Sequence, residues 1–374
     1  MSVLTAIGLM SGASLDGVRA ALLRTDGENI VEVGQSHFEP YSRDMKIAVR
    51  RAAKAALEHR DGAAEIGKAS KELTDAHVIA VENLLASAGL KRTEVNVIGL
   101  NGHTILHKPK RAPESPGRIW QIGDGRVLAE ETKIDVVSDL RSADIAEGGE
   151  GGPLTPTYFA ARARALEPDG AVGVIDLGRV ANVTFIPRRG GALDLLSFDA
   201  GPGTALVDEW VALRTGEAMD INGALAKSGQ VHADILRMML LNPFIRRKPP
   251  KALDRLDFKI EPVLALSIAD GAATLTALSA GCLRASVPHL PEAPRDWIVV
   301  GGGRRNPALM EALAKALEGD VHTAESIGWR GDDLDAESLA YCAVRSLRKM
   351  PLTYPHTTRT PRPTRGGVHH RAPV

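Results

Sequence analysis

The chain has 374 residues, enough to bury one large hydrophobic core or two smaller ones. Hydrophobic residues make up 44% and charged residues 25%, which excludes a disordered or fibrous chain. Lys+Arg and Asp+Glu are equal at 46 each, so charge offers no reason to expect nucleic acid or a membrane surface as partner.

Val3 to Leu9 and Val18 to Leu23 are apolar runs that read as strands, joined by the polar connection SGASLDG. The leading MSVLTAIGLMSG has neither a charged start nor a long apolar core, so it does not read as a signal peptide. No apolar stretch reaches the length of a membrane span, and a soluble, cytoplasmic protein is expected. Helical periodicity covers Asp44 to Leu57 and Ala63 to Leu85, with Gly89 as a stop. Val95 to Leu100 is a strand running into NGHT, and a proline-rich loop from Lys108 to Gly117 follows. Asp135 to Leu140 is a further strand, leading into EGGEGGPL.

The same grammar then restarts. Val172 to Leu177 and Ala181 to Ile186 read as paired strands, then Leu195 to Phe198, the loop DAGPG, and a helix from about Thr204 to Leu213. Helices are expected over Asn222 to Leu241 and Ala272 to Leu290, a buried strand over Trp297 to Val300, and helices over Pro307 to Leu317 and Asp335 to Arg348. Strand pairs followed by helices, occurring twice, predict two α/β lobes. Cys282 and Cys342 fall in apolar helical segments and read as buried reduced thiols, since two cysteines make no disulfide scaffold.

Three glycine-bearing loops carry the candidate chemistry. In GLMSGASLDG the backbone N–H groups of a turn around Gly12 and Gly17 can form an anion-binding nest, with Ser11 and Ser14 as hydroxyl donors. Asp16 offers the hard oxygen a hydrated magnesium ion favours. The same pattern also serves a plain hairpin with a turn-forming Asp-Gly. Asp199 ends a strand and precedes Ala-Gly-Pro-Gly, which presents its carboxylate beside backbone a ligand can approach; a turn Asp bonding its own loop is the alternative. In DLRSADIAEGGEGGP, Asp139, Arg141 and Asp144 can orient a polyol or form an ion-pair cluster bracing the loop. GGGRRNP has neither the Walker lysine nor the dinucleotide spacing.

The joint order of these motifs resembles the anhydro-N-acetylmuramic acid kinase family along nearly the whole chain. The family's GLMSGTSLDG appears as GLMSGASLDG, its HGQT-x-x-H-x-P as Asn101-Gly102-His103-Thr104 with His107 and Pro109, and its QIGD as Gln121 to Asp124. DLRSADIAEGGEGGPLTP, the stretch from Asp176 to Thr184, DAGPGT, PPKALDRLDF, VVGGGRRNPALM and GDDLDAESLAY follow in the family's order. The resemblance implies a two-lobed α/β fold of the actin-like ATPase type (the acetate and sugar kinase, heat-shock chaperone and actin superfamily), with RNase H-like lobes that close on ATP. The lobes are expected at 1–130 with 346–374, and at 131–345. It implies that ATP and Mg²⁺ are used to open 1,6-anhydro-N-acetylmuramic acid with water and phosphorylate the released 6-oxygen, within cell-wall recycling, by a cytoplasmic homodimer.

By position in the motifs, Asp199 is the expected general base. Gly12, Ala13, Ser14, Leu15, Asp16, Gly17, Val18 and Arg19 form the first nucleotide loop, with Gly178, Gly301, Gly302, Gly303 and Asn306 as further nucleotide contacts. His103, Thr104, Arg141 and Asp144 are expected at the sugar, and Asp16 at a water-mediated Mg²⁺. Several positions depart from the family pattern: Ala13 for Thr, Arg19 for Asp, Asn101, His103 and Glu150 in the sugar region, Asp176 for Asn, Arg179 for Gly, Ala200 and Thr204 beside Asp199, Asp335 for Glu and Arg359 for Gly. They leave two readings: a working kinase, or a member that binds nucleotide or sugar with weakened turnover. The Arg- and Pro-rich tail from Met350 to Val374 either packs on the first lobe or offers its arginines to an acidic partner.

Overall fold

The computed structural model describes residues 2–12, 14–108, 117–254 and 256–373. Ala13 and Pro109 lie outside the described residues. The chain forms two compact units, Met1–Ala165 with Asp333–Val374, and Leu166–Asp332.

In the first unit, β1 (Leu4–Ser11), β2 (Gly17–Thr25) and β3 (Ile30–Pro40) form an antiparallel meander. β4 (Val97–Leu100) lies parallel to β1. β5 (His103–Lys108) and β6 (Arg118–Ile122) make a separate hairpin, and β7 (Val136–Ser138) lies parallel to β4. The strand order is therefore β7-β4-β1-β2-β3. In the second unit β8 (Val172–Leu177), β9 (Val180–Ile186) and β10 (Leu196–Pro202) repeat the meander, and β11 (Asp296–Val300) and β12 (Asp320–Thr323) add in parallel. Its order is β10-β9-β8-β11-β12. Both units thus share one order and one set of strand directions, the RNase H-like arrangement expected of each lobe. β13 (Val368–His370) extends the first sheet antiparallel to β7.

Close backbone approach sets the first core. Helix Leu334–Leu347 lies directly on the sheet: a Cβ on Gly8 would sit 1.7 Å from Ala336 O, and one on Gly99 2.2 Å from Leu339 O. Only glycine on β1 and β4 permits this packing. The other face is covered by helices Arg43–Leu57, capped by Ser42, and Ala64–Ala88, closed by Gly89 in the left-handed region.

The unit boundaries fall at 165/166 and 332/333, whereas the sequence placed them at 130/131 and 345/346. Strand pairing explains the difference. β7 completes the first sheet, and helix Pro156–Arg164 joins it through a buried cluster in which Tyr158 and Arg162 both bond Glu337. The stretch 222–241 is not one helix: it breaks into the short helix Ala224–Ser228 and Ala233–Leu240, separated at Gly229, whose backbone is extended (φ −98°, ψ 172°). Helix Ile268–Ser286 stops before Pro288. β3, β5, β6 and β12 carry too little apolar alternation to stand out in the sequence.

The tail packs on the first unit. Arg359 pairs with Glu150 at 3.1 Å and Arg362 with Glu147 at 2.8 Å, while Thr358 donates to Asp144 at 2.6 Å. Among the described residues no helix is long and apolar enough to cross a membrane.

Glu337 is fully buried and takes its countercharge from Arg162 at 3.0 Å. Arg162→Met alone should lower unfolding stability by about 3–5 kcal/mol in urea titrations, because a buried carboxylate loses its partner, and adding Glu337→Met should recover most of the loss. An Arg162→Met single variant as stable as wild type would show that the pair carries no such cost.

Candidate functional site

The β1–β2 turn of the first unit holds the expected first nucleotide loop. Leu15 N–H bonds Gly12 O at 3.1 Å and Tyr41 N–H bonds Asp16 O at 2.8 Å, which closes the turn and ties it to the end of β3. Among the described residues of this turn, Leu15 takes the left-handed conformation (φ 56°). Gly17 is held to glycine by proximity, since a Cβ there would meet Glu39 O at 2.1 Å. Ser14 and Asp16 are exposed, and Val18 is buried in the core. Ser11 is spent inside the protein: its hydroxyl accepts from Tyr41 at 2.5 Å and bonds His103 Nδ1 at 2.9 Å. Burial lowers the His103 pKa, so the ring is neutral at physiological pH. This chain joins the turn to the start of β5. Arg19 lies 4.6 Å over the Phe38 ring and 3.4 Å from Asp333, which also accepts from Ser36 at 2.6 Å.

A hollow of about 250 Å³ opens in the same unit, lined by Asn101, Gly102, Trp120, Gln121, Ser138 and Asp139. The expected sugar residues brace its surroundings. Gln121 donates to the Thr104 hydroxyl at 3.2 Å. Arg141 spans from Asn101 Oδ1 (3.0 Å) to Gly151 O (2.8 Å). Asp144 accepts from Gly151 N–H at 2.7 Å on one oxygen and from Thr358 on the other. Buried in this way, Asp144 organises the 144–151 loop.

In the second unit, register alone gathers three glycine turns. Val300 pairs with Asp176 across β11 and β8, and Pro202 with Val180 across β10 and β9. The turns at Gly178, Gly203 and Gly301–Gly303 are therefore neighbours. Gly203 and Ala205 N–H both bond Arg179 O, at 3.0 and 3.2 Å, and Thr204 N–H bonds Gly178 O at 2.9 Å. A Cβ on Gly203 would meet Gly178 O at 2.0 Å, while Gly302 faces open space. Asn306 Oδ1 caps the helix Pro307–Ala316 by accepting from Ala308 and Leu309 N–H. Helices Ala205–Thr215 and Pro307–Ala316 both begin at these turns, where the helix dipole favours an anion, while Ala205 N–H is taken by Arg179 O and the Ala308 and Leu309 N–H groups by Asn306 Oδ1. Arg179 does not occupy the left-handed region, so its replacement of Gly stores no backbone strain. Its guanidinium is largely exposed, 3.9 Å from Asp208, which Thr204 also bonds at 2.8 Å.

Asp199 stands on β10 where the pairing shifts between Asp199 and Gly201. Both of its oxygens receive donors: Asn182 Nδ2 at 3.1 Å and Leu253 N–H at 2.8 Å. Asn182 is itself oriented by Ser197, which donates to its Oδ1 at 3.0 Å. Asp199 N–H bonds Lys251 O at 2.9 Å. PPKALDRLDF matches the family's order but carries no role by pattern alone; its signal is a lysine flanked by prolines and apolar residues, a poor setting for a free surface charge. Asp208 and Tyr41 were likewise missed. Nothing in their local sequence separates them from ordinary helix and strand-end residues.

A family model described as anhydro-N-acetylmuramic acid kinase matches residues 4–371. Proteins with that name from Rhizorhabdus wittichii (44% identity), Paramagnetospirillum magneticum (43%) and Agrobacterium fabrum (42%) align over 99%, 98% and 99% of this chain. The alignments span 100%, 99% and 99% of those relatives' own lengths. Similarity of this extent includes both glycine-turn regions and the Asp199 strand, and the chain belongs to the anhydro-N-acetylmuramic acid kinase family.

Proposed function

We propose that this protein uses ATP to open 1,6-anhydro-N-acetylmuramic acid with water and to phosphorylate the 6-oxygen, giving N-acetylmuramic acid 6-phosphate and ADP. The carrying observation is Asp199, a carboxylate fixed by two donors on the strand that leads into the nucleotide-facing glycine turns. An ordinary aspartate is ionised at neutral pH and can take a proton from water. Inverting hydrolysis needs a base for water and an acid for the leaving oxygen. Here the γ-phosphoryl group captures the leaving oxygen, so one carboxylate suffices.

In this reading each unit brings its own nucleotide contacts, the first the loop at Gly12–Arg19 and the second the turns at Gly178 and Gly301–Gly303, with Asn306 holding the last of these in place. Arg179 adds a cation from the β8–β9 turn. Asp16, exposed beside Ser14, suits a hydrated hard cation, and Mg²⁺ held there through water supplies charge neutralisation on the phosphates. The 250 Å³ hollow, with its aromatic wall and amide and hydroxyl lining, takes a single sugar ring, and Thr104 and Arg141 bond its lining residues Gln121 and Asn101. A cytoplasmic enzyme fits the proposed use of ATP, and exposed Val231, Met238 and Leu241 on the second unit suit a homodimer.

Asp199→Asn should lower kcat by about 10²- to 10⁴-fold, the usual contribution of a general base, while ATP binding measured by calorimetry stays unchanged. Equal rates of ADP release would remove Asp199 from the mechanism. Arg179→Gly should raise the KM for ATP by about tenfold with kcat retained, the effect of losing one charge-assisted contact to phosphate. An unchanged KM would assign Arg179 to its Asp208 contact alone.

A further inference from the structure

Lys251 is 7% exposed. Its Nζ donates to Phe244 O at 3.1 Å and Ile245 O at 3.0 Å, carbonyls of the short helix Pro243–Arg246. It lies 4.5 Å from the Phe244 ring centroid and 5.8 Å from that of Phe198, the residue before Asp199. A buried ammonium is costly unless its donors are met, so a lysine in this place needs a reason.

The reason lies in what the same residue does with its backbone. Lys251 O accepts from Asp199 N–H at 2.9 Å, and two residues on, Leu253 N–H donates to Asp199 Oδ2 at 2.8 Å. The 251–253 segment therefore grips Asp199 twice, once by its backbone and once by its carboxylate. The ammonium, bonded to two carbonyls and packed on two rings, pins that segment to the protein. We infer that Lys251 is a positioning residue for Asp199: it anchors the strap whose Leu253 N–H directs the carboxylate and favours its ionised form. The inference rests on the reading of Asp199 as the base, and adds the device that aims it.

The groups around the ammonium are few. Arg247, Asp199 and the Cys282 thiol act on it electrostatically, and His289 Nε2 shares the Ile245 carbonyl at 3.1 Å. Burial pulls the lysine pKa down to about 8 and pushes that of Cys282 up to about 12, so near neutral pH the lysine supplies the positive charge beside Asp199.

The test follows the Asp199 carboxyl itself. In protein carrying ¹³C-labelled aspartate side chains, the Asp199 resonance is assigned by its loss in Asp199→Asn and titrated in wild type and in Lys251→Met. The expected result is a pKa raised by about one unit in Lys251→Met, with the acid limb of kcat/KM moving up equally. In the same variant kcat should fall about 10²-fold, the scale of an aiming error of one ångström, with ATP binding retained. A Lys251→Met protein that binds ATP and leaves the Asp199 titration where it was overturns the proposal, whatever its Tm. Should Lys251→Met fail to fold, replacing Leu253 by its α-hydroxy acid deletes only the N–H donor, and an unmoved Asp199 titration there overturns the strap as well. The two readings separate cleanly. A shifted Asp199 titration with full turnover in Asp199→Asn supports the strap and ends the assignment of Asp199 as base.

Discussion

In the proposed mechanism a carboxylate acts as base toward one water molecule, which requires its oxygens to keep a fixed direction, and the structure holds Asp199 in one. Two donors from different parts of the second unit meet its two oxygens, one from the β9 amide of Asn182 and one from the backbone at Leu253. Each donor is braced in turn. Asn182 is oriented through Ser197, whose hydroxyl also meets Thr184, and the Leu253 segment is pinned by the Lys251 ammonium. Deletion of either brace leaves the carboxylate chemically intact but less firmly directed, which in the proposed mechanism costs rate more than it costs binding.

The glycine turns follow from sheet register. In both units the first two strands form an antiparallel pair closed by a turn, and a parallel strand leaves beside it. The turns at Gly178, Gly203 and Gly301 are neighbours because strand pairing leaves their chain ends side by side, with two helix N-termini added. The proposed anion site needs few side chains, since turn backbone and helix dipoles favour negative charge by themselves. That explains why several side-chain departures from the family pattern can be carried by one scaffold.

Those departures are absorbed locally. Arg19 stacks on Phe38 and faces Asp333, so its reversed charge meets an acid. Glu150 and Arg359, both departures, pair with each other. Arg179 and Thr204, also both departures, converge on Asp208, whose carboxyl burial pushes upward while these two partners pull it down. Among the departures at described residues, Arg359 alone keeps a backbone cost, since it holds the left-handed conformation (φ 66°) that glycine adopts freely, a strain of about 1–2 kcal/mol.

The repeated strand-pair grammar, the loop around Asp16 and the family resemblance were all legible in the amino-acid sequence, because each depends on short-range pattern: apolar period, turn residues and motif order. Asp199, which reads as the end of a strand, lies instead within β10, which runs on to Pro202 because Gly201 and Pro202 still pair with Ala181 and Val180. Tertiary packing decided the rest. The helix at 334–347 belongs to the first unit because Gly8 and Gly99 let it sit on β1 and β4, a contact joining residues more than two hundred positions apart. Asp144 reads as a sugar ligand in one dimension and becomes a loop brace once Thr358 and Gly151 reach it. Lys251 reads as one lysine among many until its ammonium is seen between two carbonyls and two rings, one residue-pair away from the carboxylate it aims. A donor's partner is set by where the chain returns in space, and local sequence carries no record of that return.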